Sequence, residues 1–192
     1  MAEAQSLAYV FWHWRRPNVS AADYEARQRA FHAALAAAPP AGFTGSFSVA
    51  VSGAPWAAAG GGDAYEDWYL VRDYAALGEL NAAAVAAPRA AAHDAAAAQA
   101  AGGAAGLYRL QLGRELRSPR FAHHFSKPAG VRYREFLAAL EPRVAAASGA
   151  LWMRQMTLGP AREFCLHAAE PVELPPNVGA LVLPLRPAWP DR

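Results

Sequence analysis

The chain contains one cysteine, Cys165, and one lysine, Lys127, in 192 residues. A single thiol excludes an internal disulfide and any multi-cysteine zinc site. Seventeen arginines carry the remaining positive charge, but apart from the Arg15-Arg16 pair they are scattered singly, without the repeated clusters and interleaved aromatic residues of nucleic-acid grooves. No nucleic-acid partner is expected. Long apolar runs are also missing. The longest candidate, Ala82 to Gly106, is built on alanine and broken by Pro88, Arg89, His93 and Asp94, so no membrane span is expected. The opening MAEAQSLAYV has Glu3 and no basic stretch ahead of an apolar one, which reads as no secretory signal and a cytoplasmic location. There is no HExxH and no multi-carboxylate cluster, so neither a dedicated metal site nor a bound cofactor is expected. Gly60-Gly61-Gly62 precedes a strand and Gly102-Gly103 follows a helix, the wrong context for a phosphate cradle.

What is present is alanine and large aromatic side chains. The chain is 54% hydrophobic, but 50 residues are alanine, leaving about 28% in side chains that can fill a core. The larger apolar residues fall on short segments that read as strands. Leu7 to Arg16 (LAYVFWHWRR) is one, stopped by Pro17 and followed by a helix from Ser20 to about Ala38, with Tyr24, Gln28, Phe31 and Leu35 on one stripe. Phe43 to Val51 and Tyr65 to Arg72 read as strands around a Ser52–Gly62 loop. Tyr74 to about Ala101 reads as helix broken at Pro88, and Leu107 to Leu112 as a fourth strand. The order is β-α-β-β-α-β.

The second half begins again after a charged connector. Phe121 to Ser126 reads as a strand, a helix follows to about Ala147, and Leu151 to Leu158, Arg162 to Ala168 and Ala180 to Leu185 read as three more strands. WHWRRP, ending at Pro17, lies over HHFSKP, ending at Pro128, which superposes His13 on His124. Between the last two strands, EPVELPPNVG is too short and proline-rich for a helix. Residues 1–112 therefore read as a first repeat, 113–119 as a connector and 120–192 as a second repeat (β-α-β-β-β) lacking its second helix. The first repeat has 7 basic against 9 acidic residues and the remainder 11 against 7, so the halves, at −2 and +4, are suited to docking on each other.

A β-α-β-β-α-β unit is the ferredoxin-like plait. Two in tandem, with YEDWYLVRDYAALGELNAAAV as third strand and second helix, resemble the dimeric α+β barrel superfamily. The resemblance implies an α+β fold in which two antiparallel sheets pack face to face within one chain. The superfamily includes small monooxygenases, EthD-like proteins and the haem-binding chlorite dismutase group.

Strand alternation sorts the side chains into two faces. Val10, Trp12, Trp14, Phe47, Val49, Trp68, Leu70, Leu110 and Leu112 form a bulky set expected under the helices. Tyr9, Phe11, His13, Arg15, Ser46, Ser48, Asp67, Tyr69, Arg109 and Gln111 form a mixed set expected between the sheets. In the second repeat that face should carry His124, with Cys165 and His167 together on one side of their strand; the inward side of strand 151–158 stays open. His13 and His124 are the candidate catalytic residues, brought toward each other by the near-twofold relation. Arg15, Asp67, Tyr69, Arg109, Gln111, Cys165 and His167 are candidate ligand contacts. In the alternative reading Asp67 pairs with Arg109 in a plain polar interface. His32 is expected to border solvent, and His93 and Asp94, about 100° apart on a helix, are expected not to converge.

Three functions suit this pattern. One is a small-molecule-binding protein or cofactor-free enzyme, monooxygenase- or isomerase-like, with an apolar or aromatic ligand between the sheets. A second is a structural or assembly module with a filled interior. A third, implied by the resemblance, is a haem protein of the chlorite dismutase type. Homodimerisation through sheet edges or the alanine-rich helix is a further expectation.

Overall fold

A computed structural model describes residues 6–60 and 63–190. Residues 1–5, from which the absence of a signal was read, and Gly61 and Gly62 of the expected loop lie outside them. The strands are β1 (Leu7–Arg15), β2 (Phe43–Ser52), β3 (Asp63–Val71), β4 (Ala100–Gly113), β5 (Phe121–Phe125), β6 (Ala150–Arg154), β7 (Phe164–Ala168) and β8 (Leu181–Trp189). The helices are α1 (Ala21–Ala37), α2 (Tyr74–Ala84), α3 (Ala90–Ala97) and α4 (Tyr133–Ala146), with a 3-10 turn at Pro55–Gly60. Ser20 caps α1 by accepting from the Asp23 amide, and Asp73 caps α2 by accepting from that of Ala76.

The strands close into one antiparallel barrel in the order β1-β3-β2-β8-β5-β7-β6-β4. This corrects the expectation of two sheets stacked face to face. An open sheet would leave β2 and β4 as bare edges. Instead β2 pairs with β8 (Val51 opposite Leu185) and β4 with β6 (Arg109 opposite Met153), so both halves of the chain form one wall. The neighbour order β4-β1-β3-β2 recurs as β8-β5-β7-β6. Between β7 and β8 there is no helix, as the prolines there dictate.

Closure also inverts the two faces. Trp12, Phe47, Val49, Trp68, Leu70 and Trp152 are buried inside the barrel, not under the helices. An eight-stranded barrel has an interior about wide enough to be filled by side chains, and here indoles fill it. The mixed face of β1 and β3 looks outward, toward α1, α2 and α3: Leu7, Tyr69 and Val71 pack there with Phe31, Leu35 and Leu80. On the other side Phe125, Leu151 and Phe164 pack with Phe136, Leu140 and Val144 of α4. Trp152 settles the open direction in β6 by pointing inward, while Met153 packs on the α4 side.

β4 starts at Ala100, seven residues before the expected strand, and takes in the double glycine that was expected to end a helix. Alanine and glycine are poor strand formers, but the rings on β1 require them. A β-carbon on Gly103 would stand 2.8 Å from the Trp12 carbonyl oxygen and against the Phe11 ring, and one on Gly106 would stand 2.9 Å from the Trp12 ring. Gly103→Ala is therefore expected to lower stability by about 1–3 kcal/mol through overpacking. Gly78→Ala in α2, where an added β-carbon meets nothing within 4 Å, should be neutral or raise it by up to about 1 kcal/mol. Thermal melts of the two variants check the contrast.

Candidate functional site

A cavity of about 690 Å³ lies between the outward face of β1 and β3 and the cover of α1, α2 and α3. That volume is in the range of small-molecule sites. Six aromatic rings line it, those of Tyr9, Phe11, Tyr24, Phe31, Tyr69 and Tyr74, with Leu77, Leu80 and the small residues Gly78, Ala84, Ala96 and Ala97. The alanine of α2 and α3 thus makes room, since a short side chain keeps the helix but leaves space above the barrel wall.

Asp67 is the polar centre of the wall and is buried. Tyr69 donates its hydroxyl to Asp67 Oδ2 at 3.0 Å. His13 Nε2 lies 3.1 Å from Oδ2, and His32 Nε2 lies 3.3 Å from Oδ1. Neither ring N–H points squarely at its oxygen, so these two contacts act through charge and proximity more than through aligned hydrogen bonds. The far nitrogens are engaged as well: His13 Nδ1 meets the Tyr24 hydroxyl at 2.6 Å, and His32 Nδ1 meets Ser46 Oγ at 2.8 Å. Ring stacking fixes both imidazoles, His13 on Tyr65 at 5.7 Å and His32 between Tyr69 at 5.2 Å and Trp189 at 6.1 Å. Glu25 ties the assembly to the other half of the barrel by accepting from Tyr65 at 2.9 Å and pairing with Arg186 of β8.

Burial alone would raise the Asp67 carboxyl, but the two imidazoles of His13 and His32 beside it outweigh that and hold the group well below the usual carboxylate range. The Tyr24 hydroxyl is pushed up by burial, then by the charge of Asp67 and by Tyr65. Burial and Asp67 also raise Tyr69. The anion therefore sits on Asp67, and the surrounding phenols keep their protons.

Of the residues singled out from the sequence, His13, Asp67 and Tyr69 come together here. Arg15 holds the turn into α1, donating to the Val19 carbonyl at 2.7 Å. Arg109 lies over the Tyr74 ring at 5.7 Å and does not pair with Asp67, because it stands opposite Leu7 of β1 whereas Asp67 stands opposite Phe11, four residues further along the strand. Tyr74 in turn donates to Gln155 Oε1 at 3.2 Å, tying the rim of the cavity to the segment after β6. Gln111 donates to the Arg109 carbonyl at 3.5 Å, away from Asp67.

His124, Cys165 and His167 sit on the opposite side of the wall, inside the barrel. The expected approach of His13 and His124 is thereby corrected, since one ring faces outward and the other inward. The overlay of WHWRRP on HHFSKP is out of step with strand parity, because His123 is the outward residue, accepting from the Val172 amide at 2.9 Å. His124 Nε2 is 3.8 Å from Cys165 Sγ, and His167 packs edge-on against Trp68 at 4.5 Å. Burial raises the Cys165 thiol and lowers both imidazoles to about 3. Among the described residues, both nitrogens of His167 and Nδ1 of His124 have no hydrogen-bond partner.

Sequence reading missed Tyr24 as more than packing, and also missed His32 and His93. His32 is fully buried; it lies eight residues after Tyr24 and four after Gln28, on the same stripe of α1, which was the available signal. His93 lines the cavity, and its Nδ1 lies 3.0 Å from Asp94 Oδ1, so the pair does converge. Rotation of the side chains closes the angle between neighbouring positions. Among the described residues no group of three or more His, Cys, Asp or Glu side chains is arranged to hold a metal ion. No described helix is long and apolar enough to cross a membrane.

No family model matches the chain, and no curated protein does. Solved structures do. An anthrone oxidase-like protein matches at TM-score 0.51 and 11% identity over 98% of this chain and 95% of its own. A protein from Lactobacillus acidophilus NCFM assigned as a monooxygenase matches at 0.55 and 12% over 96% and 94%. A protein assigned as a chlorite dismutase matches at 0.51 and 11% over 96% of each chain. All are dimeric α+β barrel folds, and at such identities the likeness shows the fold alone.

Proposed function

We propose that this chain, a dimeric α+β barrel-like fold completed by two ferredoxin-like halves of one polypeptide, binds an apolar, ring-containing small molecule under its helices and takes a proton from it. The observation that carries the reading is the line Tyr24–His13–Asp67. Tyr24 lines the cavity, its hydroxyl meets His13 Nδ1 at 2.6 Å, and His13 Nε2 meets the Asp67 carboxylate at 3.1 Å. Such a nucleophile-or-acid, imidazole and carboxylate series moves protons wherever it occurs.

We assign His13 as the Nε2–H tautomer, with Nδ1 accepting from Tyr24. When an acidic C–H of the ligand meets the Tyr24 oxygen, the proton passes to that oxygen as the Tyr24 proton passes to His13 Nδ1. The C–H electron pair stays on the ligand, delocalised into its carbonyl as an enolate. The imidazolium formed is stabilised by Asp67, held in place by Tyr69 and His32. The burial of His13 and Asp67 strengthens that interaction. Isomerisation and oxidation of an enolisable ring can both start from this step, in keeping with the names of two of the structural neighbours.

Anthrone, whose ring C–H is acidified by its carbonyl, is a suitable probe. Binding is read by fluorescence titration and proton removal by exchange of that hydrogen for deuterium in heavy water. The wild type should bind anthrone and speed the exchange. Tyr24→Phe should keep the affinity within about twofold and lose about a hundredfold in exchange rate. Unchanged exchange in that variant contradicts the relay, and absence of binding contradicts the cavity reading.

A further inference from the structure

The cavity has a second polar end that the relay does not use. α3 runs antiparallel to α1: Arg89, just before α3, donates to the carbonyl of Ala38 at the end of α1, at 2.5 Å, whereas the carbonyl of Gln99, just after α3, accepts from the Arg16 amide near the start of α1. This places His93, in the first half of α3, near the later turns of α1, and its ring meets Phe31 edge-on at 5.4 Å. Tyr24 lies seven residues earlier in α1, about 10 Å back along the axis. Between the two ends the lining is mostly apolar, with Phe11, Leu77, Leu80 and Ala96, and Gln28 and Asn81 are the other polar amide side chains that line the cavity.

His93 is set up to accept a hydrogen bond. Asp94 accepts from its Nδ1 at 3.0 Å, which assigns the proton to Nδ1 and leaves Nε2 as an acceptor. No partner for Nε2 stands among the described residues, and the ring lines the cavity at 33% side-chain exposure. We infer that His93, oriented by Asp94, is a specificity-determining contact for a hydroxyl group at the far end of the ligand. The ligand class is thus an elongated, fused-ring molecule with an enolisable C–H and its oxygen at the Tyr24 end and a hydrogen-bond donor for His93 at the other. This rests on the reading of the cavity as a binding site.

The test compares 2-naphthol with 2,6-dihydroxynaphthalene, which carries hydroxyls at both ends, by isothermal titration. The diol should bind wild type about fivefold more tightly than 2-naphthol, beyond the roughly twofold advantage of its two equivalent orientations. His93→Phe keeps the ring against Phe31 but removes the acceptor. It should change the 2-naphthol affinity by no more than about twofold and reduce the diol to that twofold advantage. Asp94→Asn, which weakens the orienting contact, should fall between. A diol preference that survives in His93→Phe, or that is missing in wild type, overturns the inference while leaving the relay standing. Failure of both probes to bind wild type overturns the cavity reading, and the inference with it.

Discussion

Replacing Asp67 by alanine is expected to destabilise the protein by about 3–5 kcal/mol and to abolish proton transfer. The carboxylate accepts from Tyr69 and stands 3.1 and 3.3 Å from Nε2 of His13 and His32, all buried with it. Removing it leaves a hydroxyl and two buried imidazoles without the carboxylate they surround. If Asp67→Ala fails to fold, Tyr69→Phe offers a milder comparison. It deletes one donor to Oδ2 and should cost about 1 kcal/mol while the Tyr24–His13–Asp67 line stays intact. Chemical denaturation gives the stabilities. An Asp67→Ala variant as stable as wild type would mean the histidines do not depend on the carboxylate.

The second large effect is on the acid limb of stability. His124 and His167 are buried in the barrel with folded values lowered to about 3 by burial, against about 6.5 in an unfolded chain. Between those values the unfolded state binds protons that the folded state does not, so stability falls as pH falls. Each imidazole contributes a slope of about 1.4 kcal/mol per pH unit in that window. Glu66 works the other way. Burial raises it, opposed by the Trp12 and Trp68 indoles, so above about pH 4.5 it offsets part of the histidine slope. The full slope of the pair then appears below that pH, where the lowered carboxyl of Asp67 adds in the same direction. His167→Leu, which replaces an imidazole without partners among Trp68 and Phe47, is expected to remove about 1.4 kcal/mol per pH unit from the limb between pH 6 and 3.5. Urea titrations at several pH values read this directly. An unchanged slope would show that His167 is protonated in the folded barrel.

These two predictions concern opposite sides of one wall, which strand alternation separated but assigned the wrong way round. Alternation put His13, Asp67 and Tyr69 on one face and Trp12 and Trp68 on the other, and the strands keep that division. The direction depends on β2 meeting β8 and β4 meeting β6. Those pairings join segments far apart in the chain and leave no local trace. His124 fell on the wrong side because the repeats were aligned on their prolines, and a shift of one residue exchanges the faces of a strand. The start of β4 was hidden for a different reason. AAGGAAG has helix and turn propensities, and only the rings of Phe11, Trp12 and Trp14 lying on it make small residues the ones that fit. On α1, by contrast, the spacing of Tyr24, Gln28, Phe31 and Leu35 foretold the buried stripe, and His32 lies on it. The contribution of alanine to the cavity was not legible, because composition records helix propensity and not the space a short side chain leaves.

The central claim is that the binding site lies outside the barrel wall and beneath the helices. Assigned backbone and side-chain NMR spectra recorded during a 2-naphthol titration test it most directly. The account predicts saturable shifts at Tyr9, Tyr24, Leu80 and His93, which line the cavity, with little change at Trp152, Cys165 and His167 inside the barrel. Shifts concentrated at Trp152, Cys165 and His167, with the Tyr24 and His93 signals unmoved, would contradict it.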